Sequence, residues 1–385
     1  MPIECRKKIQ YGRSYCMTDC PAAKDVFRYA RVEAPGDVPR EDRRAIEVVV
    51  LDMNHGWPNL GHDSLVHAVK DAACDLIEPL AGTGLFVRAL SFDVRRKHMI
   101  PAPNEERYSL FLGTGGPGEI DPHRNTGETA ESQGIVEDPS WEEPLFDLLG
   151  SIRSRESAAL LAVCHTFGIL CRWSGAAEPR LRGPEKGGKS SGLLENILTS
   201  EGRTHPWFSR LARALPDGRR LRVVDNRLFD LIPQKGALES GLLPLANEVT
   251  NGQAGEALTM LEFARDRGGI MPRVLGVNHH PEIVDRSRQR MILGEKLHRG
   301  EVTEEWYKER LEALTKAYPN EDSDQRLHIT SDYTLLAPLR FHLFRQVRER
   351  ALRLGLAVDV HEERVLEESD DASHGGRPLG STRAV

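Results

Sequence analysis

The hydrophobic residues of the first half of the chain fall into short runs separated by segments of helical length. The clearest run covers residues 45–51 and is rich in valine and isoleucine, which is typical of a strand buried on both faces of a parallel sheet. The pattern predicts further strands at 85–92, 108–112 and 158–163, and helices at 60–76 and 141–151. This alternation predicts an α/β fold built on a doubly wound, mostly parallel sheet.

The second half of the sequence predicts more strands of the sheet and then a series of helices. Short strands are predicted at 221–225, 242–249 and 273–278, with a helix at 256–266. Long charged helices are predicted beyond residue 283, over 284–297, 303–317 and 335–354. Thr303, followed by two glutamates, is a typical helix start.

These patterns divide the chain into four parts. Residues 1–40 are polar and broken by prolines, and we interpret them as an N-terminal extension with little core of its own. Residues 41–285 form the α/β domain, and 286–361 form an added C-terminal helical region. Residues 362–385 are acidic and then rich in glycine and serine, which predicts a disordered tail.

Composition narrows the possible partners. The chain has 385 residues, of which 39% are hydrophobic, and a net charge of -6, so neither nucleic acid nor an anionic membrane is expected as a partner. The longest apolar run, 158–170, is too short to span a bilayer. The first ten residues contain no apolar segment typical of a secretory signal. We therefore expect a cytoplasmic protein.

Six cysteines are scattered along the chain, at Cys5, Cys16, Cys20, Cys74, Cys164 and Cys171. This distribution indicates reduced thiols and not a disulfide framework. The spacing of the first three matches no zinc or iron-sulfur pattern, and no histidine lies near them. We predict no metal site and no cofactor.

Cys164 follows the apolar run 158–163 directly. A cysteine at a turn from strand to helix presents its sulfur above the sheet edge, where the first N–H groups of the helix favour the thiolate. A distant segment supplies a base and a carboxylate, because His280 ends a predicted strand and Glu282 follows after one proline. Cys164, His280 and Glu282 are therefore candidates for a catalytic triad for acyl transfer.

A glycine-rich loop, 113–118, follows the strand predicted at 108–112. Ligands bind at the carboxyl ends of strands in open α/β sheets, and glycines let the backbone approach them closely. We predict that Gly115, Gly116 and His165 line the substrate site, with the N–H groups of Gly116 and His165 holding an oxyanion.

The three elements together resemble the class I glutamine amidotransferases. That family carries a Gly-Gly-Pro loop, a Gly-x-Cys-x-Gly-His-Gln elbow and a late Gly-Val-Gln-Phe-His-Pro-Glu segment. Here 115–117 match the loop, and 276–282 match the late segment with Asn278 for glutamine and His279 for phenylalanine. Residues 198–202 and 205–208 look like the family's segment after the elbow. The resemblance covers about 45–285 and implies a flavodoxin-like sheet.

The same resemblance implies that the substrate is L-glutamine, hydrolysed through a cysteine thioester, and that the ammonia passes to a synthetase. No synthetase domain is recognisable in this sequence, so a separate polypeptide is expected as the ammonia acceptor. The elbow departs from the family pattern, because Ala162 and Thr166 replace its two glycines and the His-Gln pair is missing. Three alternatives therefore stay open: a cysteine hydrolase of the same superfamily, an acyltransferase of that superfamily, and a non-catalytic binding or regulatory protein.

One further motif is interpreted as a coincidence. Residues 183–190 satisfy the phosphate-loop pattern Gly-x4-Gly-Lys-Ser. That loop binds phosphate only between a buried strand and a helix, and the preceding segment 177–182 is too polar to be such a strand. We predict a basic loop beside the active site.

Overall fold

The protein is described here from a computed structural model, which covers residues 8–10, 13–15, 23–234, 236, 241–317 and 325–375. The candidate metal ligands Cys5, Cys16 and Cys20 lie outside the described residues.

The strands are β1 Lys8–Gln10, β2 Arg13–Tyr15, β3 Phe27–Val32, β4 Ala45–Asp52, β5 Phe86–Asp93, β6 Leu110–Gly113, β7 Ala159–Val163, β8 Ala177–Leu181, β9 Ser190–Leu198, β10 Arg220–Arg227, β11 Phe229–Pro233, β12 Leu243–Thr250, β13 Gln253–Arg265 and β14 Pro272–Val277. The α-helices are α1 Ala23–Val26, α2 Leu60–Cys74, α3 Val94–Lys97, α4 Glu142–Ser154, α5 His165–Ser174, α6 Ser200–Thr204, α7 Phe208–Ala214, α8 Arg286–His298, α9 Glu304–Ala317, α10 Gln325–Ser331, α11 Ala337–Arg353 and α12 Glu363–Gly375.

Twelve of the described strands form one mixed sheet. Its main path runs in the order β10-β9-β12-β13-β14-β7-β6-β4-β5-β3, and β11 and β8 attach beside β13. The six strands from β14 to β3 are parallel, whereas the strands from β13 to β10 are antiparallel. The predicted α/β fold with a parallel core is therefore confirmed.

Helices cover both faces of the parallel core. Successive residues of a strand point to opposite faces, and in β4 Val48 and Val50 belong to one hydrophobic cluster while Val49 and Leu51 belong to another. The first cluster includes side chains from α2, α7 and α11, and the second includes side chains from α4 and α5. Burial on both faces explains why residues 48–51 of β4 are continuously apolar.

The helix predicted at 256–266 is wrong, because residues 256–265 lie in β13 and Asp266 follows the strand. This 13-residue strand pairs with β12 on one side and β14 on the other. Its central side chains alternate between the two faces, with Met260 in one cluster and Leu261 in the other. Pairing with two neighbours overrides the local preference of a sequence that contains alanine, leucine and glutamate.

The N-terminal extension contributes a strand that the sequence pattern did not predict. β3 pairs in parallel with β5 and forms the edge of the sheet. Only Val32 of this strand is fully buried, so its polar sequence fits an edge position with one face open to solvent.

The charged C-terminal helices are confirmed as α8, α9 and α11. The predicted disorder of the tail is wrong for residues 363–375, which form α12. Val365 and Ser369 are fully buried, and the Tyr333 hydroxyl donates a hydrogen bond to the Ser369 carbonyl. A few inward-facing side chains thus hold an otherwise acidic helix against the molecule.

Among the described residues, no helix is both long enough and apolar enough to cross a membrane.

Candidate active site

Cys164 occupies a sharp turn between β7 and α5. Its backbone has φ 48° and ψ -101°, a conformation that costs free energy for a residue with a side chain. The Cys164 N–H donates to the Val277 carbonyl at 2.8 Å, and the Gly168 N–H donates to the Cys164 carbonyl at 2.9 Å. Neighbouring backbone therefore holds the strained turn that the sequence predicted.

Glycines on the neighbouring strands make room for the altered elbow. A methyl group at Gly113 of β6 would overlap the side chain of Thr166, and one at Gly276 of β14 would overlap the ring of Phe167. The Thr166 hydroxyl donates to the Thr114 carbonyl at 2.7 Å. Glycines on the two strands beside β7 thus supply the space that the side chains of Thr166 and Phe167 occupy.

His280 and Glu282 lie in the turn that follows β14. The His280 N–H donates to the Val224 carbonyl at 2.8 Å, and Nδ1 of the ring lies 2.8 Å from Oε1 of Glu282. Glu282 is buried, and a methyl group at Gly61 would lie 2.7 Å from its Oε1. The carboxylate thus lies against the first turn of α2, where the helix dipole favours negative charge.

Burial lowers the pKa of His280, but the charges of Glu282 and Cys164 outweigh this effect and hold the pKa well above its ordinary value. The charge of Cys164 is one of the causes that raise this pKa, which indicates that the Cys164 sulfur lies close to the His280 ring. Because Glu282 occupies Nδ1, Nε2 is the nitrogen left to exchange a proton with Cys164.

The adjacent His279 has a different environment. It is buried, its Nε2 lies 3.4 Å from the Thr334 hydroxyl, and burial lowers its pKa to about 3. His279 is absent from the cavity wall, whereas His280 lines it. The structure thus brings His280, and not its neighbour, to Cys164.

The glycine-rich loop lies against the same two side chains. A methyl group at Gly115 would lie 2.9 Å from Cε1 of His280 and 3.6 Å from Cβ of Cys164. One at Gly116 would overlap the Met53 carbonyl. Glycine is required at both positions because side chains or backbone already fill the space where a Cβ would lie.

A buried arginine holds this loop, and the sequence analysis missed it. The Arg95 guanidinium donates to the Met53 carbonyl at 2.9 Å and the Pro117 carbonyl at 2.7 Å, and it forms a bidentate pair with Glu137. Both side chains of the pair are fully buried. No sequence signal singles out Arg95, because its partners lie 22 to 42 residues away.

His165 lies at the start of α5 with its ring buried. Burial and the charges of Arg95 and Arg172 hold the pKa of this ring well below its ordinary value. A neutral ring is expected.

Cys164, His165, His280 and Gly116 all border one cavity of about 640 Å³, whereas Gly115 is behind its wall. Four other polar side chains of the wall have a buried atom without a hydrogen-bond partner: Oδ1 of Asp225, Nε of Arg227, Nδ2 of Asn278 and Oε1 of Gln289. Buried polar atoms are rarely left unpaired, so their concentration here is typical of a site for a polar ligand.

Residues 183–190 do not form a phosphate site of the kind their sequence suggests. The segment contains a short 3-10 helix, Pro184–Lys186, and leads into strand β9 where a phosphate loop would start a helix. Lys186 pairs with Asp230 and Glu248, and Lys189 lies on the cavity wall. The segment therefore lacks the loop-to-helix geometry of a phosphate loop.

Residues 198–202 and 205–208, which the sequence analysis compared with the amidotransferase segment after the elbow, contribute to helices α6 and α7 outside the cavity. Thr199 caps α6 by accepting from the Gly202 N–H at 2.9 Å. His205 is buried and lies 2.8 Å from Glu262. Neither segment borders the cavity.

Neither a protein-family model nor a curated protein matches this chain. Among solved structures, the chain is similar to the glutaminase domain of Trypanosoma brucei CTPS with bound acivicin. The two are 10% identical, the match covers 73% of this chain and 98% of that chain, and the TM-score is 0.40. A likeness at this level assigns neither a substrate nor a residue role.

Proposed function

We propose that this protein is a cysteine-dependent amide hydrolase of the glutaminase type. The observation that carries the proposal is the electrostatic coupling of Cys164, His280 and Glu282 on a strained elbow at the edge of a cavity. A nucleophile, a base within its reach and a carboxylate orienting that base form the minimal set for acyl transfer through a thioester.

In the first half of the reaction, the Cys164 thiolate attacks the amide carbon and His280 gives its proton to the departing nitrogen. The C–N bond breaks, a thioester forms and the amine or ammonia leaves. In the second half, His280 removes a proton from water, which attacks the thioester and restores the thiol. Glu282 keeps the ring oriented through Nδ1 in both halves.

The oxyanion formed in each half requires two N–H donors. We assign these to His165 and Gly116. The first N–H groups of a helix lack partners within it, so the His165 N–H at the start of α5 can donate to the oxyanion. Gly116 lies in the loop held by Arg95, so its position is fixed before substrate binds.

We propose L-glutamine as the substrate because the unpaired atoms suit an amino acid. Oxygens of Asp225 and Gln289 can accept from an ammonium group, and the Asn278 amide can donate to a carboxylate. We further propose that the ammonia serves a separate synthetase. No disulfide joins the described cysteines, Cys74, Cys164 and Cys171, which suits a reaction in the reducing cytoplasm.

The test is glutamate release from glutamine by the parent protein, Cys164→Ala and Cys74→Ala. Cys74 is a partly exposed cysteine in α2 away from the cavity, so it controls for loss of a thiol. We expect release by the parent and the Cys74 variant, and none by the Cys164 variant. In parallel, 6-diazo-5-oxo-L-norleucine should label the peptide containing Cys164, as read by mass spectrometry.

Absence of both glutamate release and labelling would overturn the proposal. Labelling without release would contradict the assigned roles of His280 and the oxyanion donors while leaving the thiol reactive.

A further inference from the structure

The added helix α9 forms part of the cavity wall. Trp306, Arg310, Ala313 and Leu314 from this helix border the same cavity as Cys164 and His280. Trp57, from the segment between β4 and α2, also lines it and is 46% exposed. The cavity therefore has two tryptophans in addition to the polar groups near the thiol.

The wall carries more positive than negative charge. Lys189 and Arg310 line the cavity, both are exposed, and neither has a carboxylate partner among the described residues. The guanidinium of Arg310 instead lies 5.4 Å from the centre of the Trp306 ring. Asp225 is the only acidic residue among the described wall residues, and it already contacts Arg227 at 3.4 Å.

The cavity is also large for glutamine. Its volume of about 640 Å³ falls within the range of roughly 300–1,000 Å³ that holds drug-sized ligands, which are larger than one amino acid. The groups proposed to bind the amino acid leave the part bordered by α9 without a role. Tryptophan faces suit a flat ring, and an arginine placed over one suits an anion beside that ring.

We infer that the α9 side of the cavity is a second subsite, which binds a flat, negatively charged leaving group of a γ-glutamyl amide. The inference rests on the proposed function and extends its substrate from glutamine to N-substituted amides. The chemistry is unchanged: the Cys164 sulfur forms the thioester, the C–N bond breaks, and the departing amine takes its proton from His280. Water then releases glutamate.

The experiment compares two chromogenic substrates that differ by one carboxylate, L-γ-glutamyl-4-nitroanilide and L-γ-glutamyl-3-carboxy-4-nitroanilide. We expect the carboxylated substrate to have a kcat/KM about tenfold higher, mainly through KM, because it adds a charge-assisted contact. Arg310→Gln should remove this preference by lowering kcat/KM for the carboxylated substrate to about the value for the uncharged one. Lys308→Gln is the matched control, because Lys308 is a cation on the same helix that pairs with Glu304 and does not line the cavity.

A binding measurement separates this inference from the proposed function. The anionic product 5-amino-2-nitrobenzoate should bind the Cys164→Ser protein more tightly than 4-nitroaniline does, and Arg310→Gln in that background should abolish the difference. If both substrates were hydrolysed with equal kcat/KM, the subsite inference would be overturned and the proposed hydrolase function would stand. If 5-amino-2-nitrobenzoate bound more tightly but neither chromogenic substrate nor glutamine were hydrolysed, the subsite inference would stand and the proposed hydrolase function would be overturned.

Discussion

The backbone of Cys164 lies in a region that residues with side chains rarely occupy, and its neighbours hold it there. Such backbone strain is common at functional sites, where a reactive side chain must be accessible to substrate. Beside it, Glu282 contacts one nitrogen of His280 and raises its pKa, so one carboxylate sets both the orientation and the charge of the ring. The candidate site therefore depends on a few contacts that can be changed singly.

At the residue scale, Glu282→Gln keeps the shape of the side chain and removes its charge. We expect glutamate release to fall by about 10²–10⁴-fold, as when a buried carboxylate that orients a catalytic histidine is neutralised. The pKa of His280, raised in the parent, should fall, so the alkaline loss of activity should move to lower pH. The measurement is kcat/KM against pH.

Glu301→Gln supplies the control, because Glu301 is an exposed carboxylate away from the cavity. Parent-like activity and an unshifted pH profile in Glu282→Gln would contradict the orienting role.

At the scale of the elements, the turn at Cys164 depends on a residue from a neighbouring strand. Thr166 lies two residues after the cysteine, in the first turn of α5. The clearance is provided by Gly113 on β6, where any Cβ would meet the Thr166 side chain. The turn at Cys164 therefore depends on α5 and on β6, which are distant in sequence.

A double-mutant cycle at positions 113 and 166 tests whether the two residues share one packing space. Gly113→Ala should destabilise the protein by about 1–3 kcal/mol, because the new methyl group overlaps Thr166 in a packed interior. Adding Thr166→Gly should recover part of that loss, giving a coupling of about 1 kcal/mol or more between the two positions. Urea unfolding of the parent, both single variants and the double variant measures it.

Gly294→Ala is the matched control, since no atom lies within 4 Å of the added carbon; it should be neutral or slightly stabilising. Strictly additive effects at 113 and 166 would show that the two residues do not share the space.

At the scale of the whole molecule, the C-terminal helices share the core of the α/β sheet. α11 contacts β4, β7 and β14, and its buried side chains belong to the cluster that includes Val48 and Leu161. α9 lines the cavity, and the Ser331 hydroxyl at the end of α10 donates to the Pro281 carbonyl at 2.6 Å. The turn that carries His280 is therefore supported by residues far beyond it in the chain.

Truncating one side chain of α11 tests this support. Leu343 is fully buried, and Leu343→Ala should lower the free energy of unfolding by about 2–5 kcal/mol. Leu352→Ala, on the same helix at 68% exposure, should change it by no more than about 0.5 kcal/mol. Similar unfolding midpoints in urea for the two variants would contradict a common core.

Buried histidines predict how stability depends on pH. Burial and the charges of Arg345 and Arg273 lower the pKa of His342 to about 3, and His279 also has a pKa of about 3. Because the unfolded chain binds these protons near pH 6.5, stability is full above that pH. It falls as the pH drops toward 3, by up to about 1.4 kcal/mol per unit for each histidine.

His342→Gln retains a donor for the Pro272 carbonyl and removes one of these titrations. We expect the difference in unfolding free energy between pH 7 and pH 5 to shrink by about 2 kcal/mol. Urea unfolding at both values measures it, and an unchanged difference would contradict a buried neutral imidazole.

Patterns within a few residues were sufficient to predict much of this protein. The apolar runs of the parallel strands, the helices between them and the glycine-rich turn each follow from local spacing, because backbone geometry repeats over two to four residues. For the same reason, the segments carrying Cys164 and His280 were both placed at strand ends from the sequence. Their mutual contact was an expectation from chemistry and resemblance.

Only the tertiary structure decided the remaining features, because each depends on partners far apart in the chain. Residues 253–265 form a strand because two neighbouring strands pair with them. Residues 363–375 form a helix because a few of their side chains are buried against the rest of the molecule. Packing across the sheet also placed Gly113 opposite Thr166, Arg95 beneath the loop and α9 on the cavity wall. The sequence by itself determined which segments could carry a thiol site, whereas long-range packing determined the shape, charge and support of the cavity around it.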